Sequence, residues 1–579
     1  MVKMGKIFVY RFGVGIKETI GKCRALNAFY LIAFLAAFFF VFSACGAMGT
    51  QNNQPPVQSP SAAVSGASST EQNSTAGTAP NLEQNAGTVP GEGSAAGNDN
   101  IVGGENDDAD ENDEPVGYVI DSIPPIPSHN DYMIMLEINP EERTVEGITR
   151  IHFTNRHDAP LETIVLRLFL NAFTENYAPA PFFNEWQVFR RGRVFPYMNI
   201  QYASVGGDSV PYEINGTVLV LHLPEPLPPD ISAQVILQYN AFVPPMINRT
   251  GGNNHAMWFG AFLPVLAVHG EDGWHTEPLY PAGEPFFIEP ASYQVSITTP
   301  LRYTVVGSGL RTEEIIEDTD TRITHFTAHL ARDFAFALSP YFNHAHLMTD
   351  SGVDIHFYYY TEGLPVDAIL EIAQQTVEQF TYRVGVYPFG HFNMVETELA
   401  ADNASFPQIV FLDSDMLRAD RLWGVAHGIG NQWFANVVGS NRIAHPWLSE
   451  GLTRFVQLEV FYPTYDELRE RIELELATIT GRTDLRILDD LSVHGNRTHY
   501  AHTQGRKAMV MLYSLYSRMG SESFWNMINQ YYQSHSFQFA TTDDFIRIAE
   551  DIHGRSLESF FQSWLDGGEV PVLPPVIRD

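Results

Sequence analysis

The chain has little cysteine and little positive charge. Its 579 residues include two cysteines, Cys23 and Cys45. The chain beyond residue 45 can therefore form neither an internal disulfide nor a thiolate metal site. Lys and Arg total 34 against 68 Asp and Glu, a net charge of −34 at pH 7. That balance argues against nucleic acid or an anionic lipid surface as a main partner. Part of the acidity lies in one run, Glu105–Glu114, which reads as a solvated linker rather than a binding site. No internal repeat is visible. What is present is length enough for two or three domains, with 44% hydrophobic and 12% aromatic residues to bury in their cores.

The N-terminus reads as an export signal over residues 1–45. Lys3, Lys6, Arg11, Lys17, Lys22 and Arg24 precede an apolar run from Ala25 to Ala44. The run ends Phe42-Ser43-Ala44-Cys45-Gly46. Small residues before a cysteine resemble a bacterial lipobox, with Phe42 in place of the usual leucine, and imply lipidation of Cys45. The other reading is an uncleaved anchor, because about 20 apolar residues span a bilayer. Both readings place the rest of the chain outside the cytoplasm and tethered to the cell membrane. Residues 46–127 are rich in Ser, Gly, Ala, Asn and Pro and then acidic. They lack a hydrophobic period and bury too little to offset chain entropy, so they are expected to be a disordered spacer.

Patterned sequence begins near Asp131. Alternation predicts strands at Tyr132–Ile138, Thr144–Phe153, Thr163–Leu170, Thr217–Leu223, Ala233–Tyr239, Ser292–Thr298, Arg302–Gly307 and Arg322–Ala328. Residues 128–342 are expected to form an all-β saddle or sandwich domain. Residues 343–579 begin with a strand at Val353–Tyr360 and then turn mostly helical. Helical spacing covers Pro365–Val384, Arg418–Val438, Leu448–Tyr462, Tyr465–Thr478, Gly505–Met519, Ser521–Ser534 and Thr542–His553. The expected whole is multidomain, an all-β domain followed by a mostly helical α+β domain.

The chemistry concentrates in Trp423-Gly-Val-Ala-His427-Gly428-Ile-Gly430-Asn431-Gln-Trp433-Phe and in Pro446-Trp-Leu-Ser-Glu450-Gly451. A zincin helix reads H-E-x-x-H. Its histidines at i and i+4 share one helix face and bind the metal, and the glutamate takes a proton from metal-bound water. Here His427 stands at the first ligand position. Gly428 replaces the base, and the neutral amide of Asn431 replaces the second histidine. Glu450 follows at the spacing of a third ligand. An amide oxygen suits calcium or magnesium better than zinc. Loss of a general base alone removes a factor of about 10²–10⁴. Glycines inside the helix cost roughly 1 kcal/mol each relative to alanine and invite local distortion.

With these segments in view, the chain resembles the aminopeptidase N family of gluzincin metallopeptidases over nearly all of residues 128–579. Trp423–His427 with Gln432-Trp433-Phe434 is similar to the helix of the first ligand, and Pro446–Leu452 to that of the third. Ala331-Arg-Asp-Phe-Ala-Phe336 is similar to the end of the family's β domain. Phe560–Leu565 with Pro571-Val-Leu is similar to the end of its catalytic domain. The resemblance implies an N-terminal β domain packed on a thermolysin-like domain, and removal of N-terminal residues from peptides with zinc as cofactor. It also implies an amine-binding loop, matched by Ala401–Pro407 with Asn403 within it and Ser405 at the glutamate position. It implies a transition-state tyrosine, and Gln504 of Gln504-Gly-Arg-Lys-Ala508 falls at that place. The base, one ligand, the amine anchor and the oxyanion donor are thus all expected to be changed.

Two routes to a surviving metal site remain open on the residues. His445, five residues before Glu450, stands near the two retained ligands, though its simpler reading is a surface or supporting histidine. His494, His499 and His502 cluster before the Gln504 helix, and loop histidines at such spacing are ordinarily solvated. His427 and Glu450 also read as a buried hydrogen-bonded pair without metal, and Trp433 and Trp447 as core residues. The expectation is a membrane-tethered, extracytoplasmic aminopeptidase-like protein without catalysis, in which zinc is weak or absent. Its cleft would take a peptide or an extracytoplasmic protein. The alternative is an active or weak zinc aminopeptidase with an altered metal site.

Overall fold

The computed structural model describes residues 129–175, 185–280, 282–316 and 320–571. The export signal, Cys45 and the linker lie outside the described residues. Among those described, no helix is long and apolar enough to cross a membrane.

The alternation at Asp131 becomes two long antiparallel strands, Asn130–Asn139 and Thr144–Thr154. In the first, Ile134, Leu136 and Ile138 turn inward while their neighbours face out, as a period of two requires. These strands are central in an eight-stranded sheet. Its order is Leu310–Ile316, Thr321–Ala331, Ala291–Pro300, Asn130–Asn139, Thr144–Thr154, Ser232–Phe242, Tyr197–Val205 and Asp208–Ser209. Asn130–Asn139 runs parallel to Ala291–Pro300, so the sheet is mixed. Two four-stranded sheets complete the first half, and one core gathers their inner faces around Tyr239, Trp258, Phe259, Tyr293 and Phe336.

Strands continue past Phe342: the expected Val353–Tyr360 strand forms as Asp354–Tyr359, and the sequence pattern does not announce the others. Asn343–Met348, Asp354–Tyr359, His391–Thr397, Ile409–Asp413 and Asn403–Phe406 form a five-stranded sheet in that order. His391–Thr397 and Ile409–Asp413 are buried almost continuously rather than in alternation, because both faces are covered. Met394, Val410 and Leu412 join the helical core, whereas Val395, Ile409 and Phe411 join the β core. The sheet is thus the shared wall of the two halves. Arg332 fastens the same seam. Its buried guanidinium donates to the carbonyls of Ile288, Asn436 and Gln538, and burial pulls its pKa down to about 9.

Helices follow as the spacing predicts at Val366–Arg383, Trp447–Phe461, Tyr465–Ile479, Ser521–His535 and Thr542–His553. Thr464 and Thr541 cap two of them with reciprocal capping boxes. The expected single helix over Arg418–Val438 is instead three pieces. Ser414–Arg418 is one turn, Trp423–Asn431 is α-helical, and Gln432–Val437 widens to a π-turn with Phe434 at φ −101°, ψ 17°. The expected helix from Gly505 likewise begins with a π-helical segment, Ala501–Lys507, before Ala508–Met519. Both π segments lie beside the cleft, a common placement for such bulges.

Candidate functional site

The Trp423–Asn431 helix packs closely against the sheet because its glycines remove Cβ atoms at the contacts. A Cβ at Gly428 would lie 2.6 Å from Val410 Cγ1 and 3.2 Å from Asn403 Cβ. A Cβ at Gly430 would lie 2.5 Å from Phe380 Cζ and 2.8 Å from Thr453 Cγ2. The place of a general base beside His427 is therefore filled by the strands Asn403–Phe406 and Ile409–Asp413. Trp433 and Trp447 are fully buried, as core residues, and their indoles donate to Gly385 O and Thr542 Oγ1.

The helix pair brings His427 and Glu450 together. His427 Nε2 is 3.6 Å from Glu450 Oε2, and Nδ1 is 3.2 Å from Gln457 Oε1. Glu450 Oε1 accepts from Arg454 Nε at 2.5 Å, and Oε2 accepts from the Tyr500 hydroxyl at 3.4 Å. Burial alone would raise the Glu450 pKa. Arg454 first, then His427, reverse this and hold it well below the usual carboxylate range.

These residues were weighed against zinc on their donor chemistry. Two ligands on one tetrahedral zinc lie about 3.3 Å apart, so the His427–Glu450 separation alone does not exclude one. The third position does not fit. The Asn431 amide oxygen already accepts from the Thr453 hydroxyl at 3.1 Å. The second Glu450 oxygen is held by a guanidinium, a positive charge beside the place a dication would take. The set offers a histidine, a neutralised carboxylate and an occupied amide, which is not a three-ligand zinc centre.

The two substitute routes end elsewhere. His445 does not line the cleft. Burial lowers its pKa, Asp543 is the charge that opposes this, and its Nδ1 is buried without a partner. His494, expected to be solvated, is fully buried. Its Nδ1 meets His499 Nδ1 at 2.8 Å and its Nε2 meets Gln504 Nε2 at 3.1 Å. Burial first, then His499, pushes the His494 pKa down to about 4. His502 bonds Arg482 at 3.2 Å. None of these three histidines lines the cleft.

Two assignments made through the family resemblance are corrected by the geometry. Gln504 is fully buried behind the cleft and donates to Asp489 O at 2.8 Å. The hydroxyl that does face the cleft belongs to Tyr500, one helical turn earlier, because the π segment Ala501–Lys507 lies between it and the Ala508 helix. Burial, then Glu450, raises the Tyr500 pKa far above its ordinary value. Ser405 is likewise buried rather than exposed to ligand. Its hydroxyl accepts from Gln432 Nε2 at 2.9 Å and Asn436 Nδ2 at 3.1 Å. Its N–H donates to Glu284 Oε1 at 3.1 Å, and Glu284 lines the cleft. A carboxylate therefore remains at that wall, supplied from the first half of the chain. Asn403 does line the cleft, with its amide donating to Gly424 O at 2.9 Å.

The cleft encloses about 350 Å³ between the two halves. Sequence reasoning missed its β-domain wall, where Arg249, Tyr280 and Glu284 stand, because no motif marks them. Arg249 is half-buried, donates to Gly283 O and leaves its Nε buried without a partner. Arg497 stands near it and donates to Ala400 O. Burial first, then the charge of Arg249, lowers the Arg497 pKa. No ion pair joins either guanidinium to a carboxylate among the described residues, in contrast to Arg454.

Comparison with known proteins agrees with this architecture. Residues 414–564 match the Peptidase family M1 domain. An M1 zinc metallopeptidase from Deinococcus radiodurans superposes with a TM-score of 0.58 at 16% identity, covering 78% of this chain and 96% of that one. The fold is that of the M1 zinc metallopeptidases. A variant of the Deinococcus M1 enzyme bound to a Tyr-Ser-Ala substrate superposes with a TM-score of 0.57 at 15% identity, covering 78% of this chain and 96% of its own. In sequence, the aminopeptidase N of Streptomyces lividans is 24% identical over 243 residues, 38% of this chain and 28% of its own. Human endoplasmic reticulum aminopeptidase 2 is 22% identical over 378 residues, 60% of this chain and 38% of its own. The chain thus spans between 18% and 38% of the length of these curated M1 relatives and of the rice aminopeptidase M1-A.

Proposed function

We propose that this chain is an M1-type aminopeptidase scaffold that binds a peptide or protein segment and does not hydrolyse it. The observation that carries the reading is the packing at Gly428, where the strands occupy the space a base needs. The Arg454–Glu450 pair and the Thr453–Asn431 hydrogen bond support it, since each uses a group that a metal centre would require. Without a base and a third ligand, water is neither polarised nor deprotonated beside His427. Tyr500, Glu284 and Asn403 then serve recognition. They donate to or accept from a bound backbone.

The ligand carries an anionic group that meets Arg249 and Arg497. Two forked guanidiniums, one half-buried and one exposed, without a carboxylate partner among the described residues are suited to a carboxylate. The protein is tethered at the cell membrane, facing outward, through a lipidated Cys45 or an N-terminal anchor. The alternative of an active or weak zinc aminopeptidase requires a metal ligand set that His445 does not supply.

The test is peptide binding and hydrolysis measured together on the full chain. Binding of acidic peptides, weakened at least tenfold by Arg497→Ala and accompanied by no cleavage, is the expected result. Cleavage of aminoacyl-anilides that vanishes in His427→Ala overturns it.

A further inference from the structure

A second group of potential ligands lies on the hairpin Asn343–Met348 and Asp354–Tyr359, away from the cleft. The antiparallel register places His346 opposite His356 and Met348 opposite Asp354. Alternation then puts His344, His346, Asp354 and His356 on one face of the outermost strand pair of the five-stranded sheet. His346 Nδ1 is 3.2 Å from Asp354 Oδ1, and His356 Nε2 is 3.2 Å from Asp354 Oδ2. One ligand atom from each of the three residues lies within 4.8 Å of the others. Zn–N and Zn–O bonds of roughly 2.0–2.2 Å place neighbouring tetrahedral ligands about 3.3 Å apart. The His346–Asp354 and Asp354–His356 distances match that spacing, one at each oxygen of the carboxylate.

We propose that His346, Asp354 and His356 form a peripheral site for a divalent first-row transition-metal ion, with zinc the natural occupant. Two imidazoles and one carboxylate suit zinc and its neighbours and do not suit calcium or magnesium, which take oxygen ligands. Three protein ligands leave a fourth position open to water.

His344 supplies support from behind. Its Nε2 is 3.0 Å from His356 Nδ1, the ring nitrogen left over when Nε2 faces the metal position. A hydrogen bond at the second nitrogen fixes the ring and its tautomer, as it does for metal-bound histidines generally.

The test is zinc titration of the tag-free full chain by calorimetry, with His346→Ala/His356→Ala, His344→Ala and His427→Ala variants. The expected result is one zinc ion per chain at neutral pH. The double variant should weaken that binding at least 100-fold and His344→Ala about 10-fold, while His427→Ala leaves it unchanged. Copper(II) substitution should show hyperfine coupling to two nitrogens by electron paramagnetic resonance, and this coupling should disappear in the double variant. Because these residues lie at the surface, the variants should keep the parent unfolding temperature. The proposal is overturned if wild-type protein binds no zinc saturably, or if the double variant binds as well as wild type. It is also overturned if binding is lost only in His427→Ala. That last outcome would revive a metal in the cleft and so count against the proposed function as well.

Discussion

Of the histidine–carboxylate groups among the described residues, the cleft pair and the hairpin cluster stand in contrast, and each has what the other lacks. His427 and Glu450 keep the spacing of a metallopeptidase, yet Arg454 holds the other oxygen of the Glu450 carboxylate and Thr453 donates to the Asn431 amide. His346, Asp354 and His356 match no linear motif, yet their ligand atoms lie within 4.8 Å of one another. The first is a motif without a free donor set, and the second is a donor set without a motif. Spacing in sequence reports which elements are built, whereas chemistry depends on which lone pairs are unspent.

The sharpest way to break that contrast is to restore the missing letters in the cleft. Gly428→Glu should not rebuild a base. It should drive a side chain into Val410 and Asn403. Overpacking and an unpaired buried charge together should cost at least about 3 kcal/mol. A fall in unfolding temperature of several degrees, with no gain in zinc binding, is expected in calorimetry. A stable variant that binds zinc would show that the helix can retreat from the sheet.

Arg454→Met should come next. It leaves Glu450 buried without its cation. Breaking a fully buried pair costs about 3–5 kcal/mol. The Arg454 side chain is 26% exposed, so about 2–3 kcal/mol is expected here by chemical denaturation.

The same pair predicts a pH dependence. The folded-state pKa of Glu450 lies below its unfolded value. Its contribution is therefore present above about pH 4.5 and lost as pH falls through the folded value. Glu450→Gln should remove that part of the acid limb.

Asp333 gives an effect of opposite sign. Burial raises its pKa to about 7. The folded state then holds a proton that the unfolded state releases, so stability falls as pH rises from about 4 to 7. Asp333→Asn should flatten that slope in urea titrations.

Much of this was legible in the chain. The alternation at Tyr132–Ile138, the helical spacing of Pro365–Val384 and the ligand spacing from His427 to Glu450 each carry one period or one motif, and each forms close to where it reads. The strands His391–Thr397 and Ile409–Asp413 were not legible, because burial on both faces erases the period. Tyr500 was displaced from its expected number by a π segment, which changes register without changing composition. Glu284 and Arg249 reach the cleft by long-range convergence, and no local pattern records them, whereas the histidine hairpin is local and becomes visible only once its register is known. The failed assignments at Ser405 and Gln504 share one cause. A matched position in sequence does not say which side of a strand or turn its side chain occupies.

The central claim is that the cleft is built for binding and not for hydrolysis. Metal analysis of the full chain, read together with aminoacyl-anilide turnover in wild type and His427→Ala, tests it most directly. The account predicts no turnover and the same zinc content in both proteins. Zinc lost in His427→Ala, together with turnover present in wild type and abolished in the variant, would contradict it.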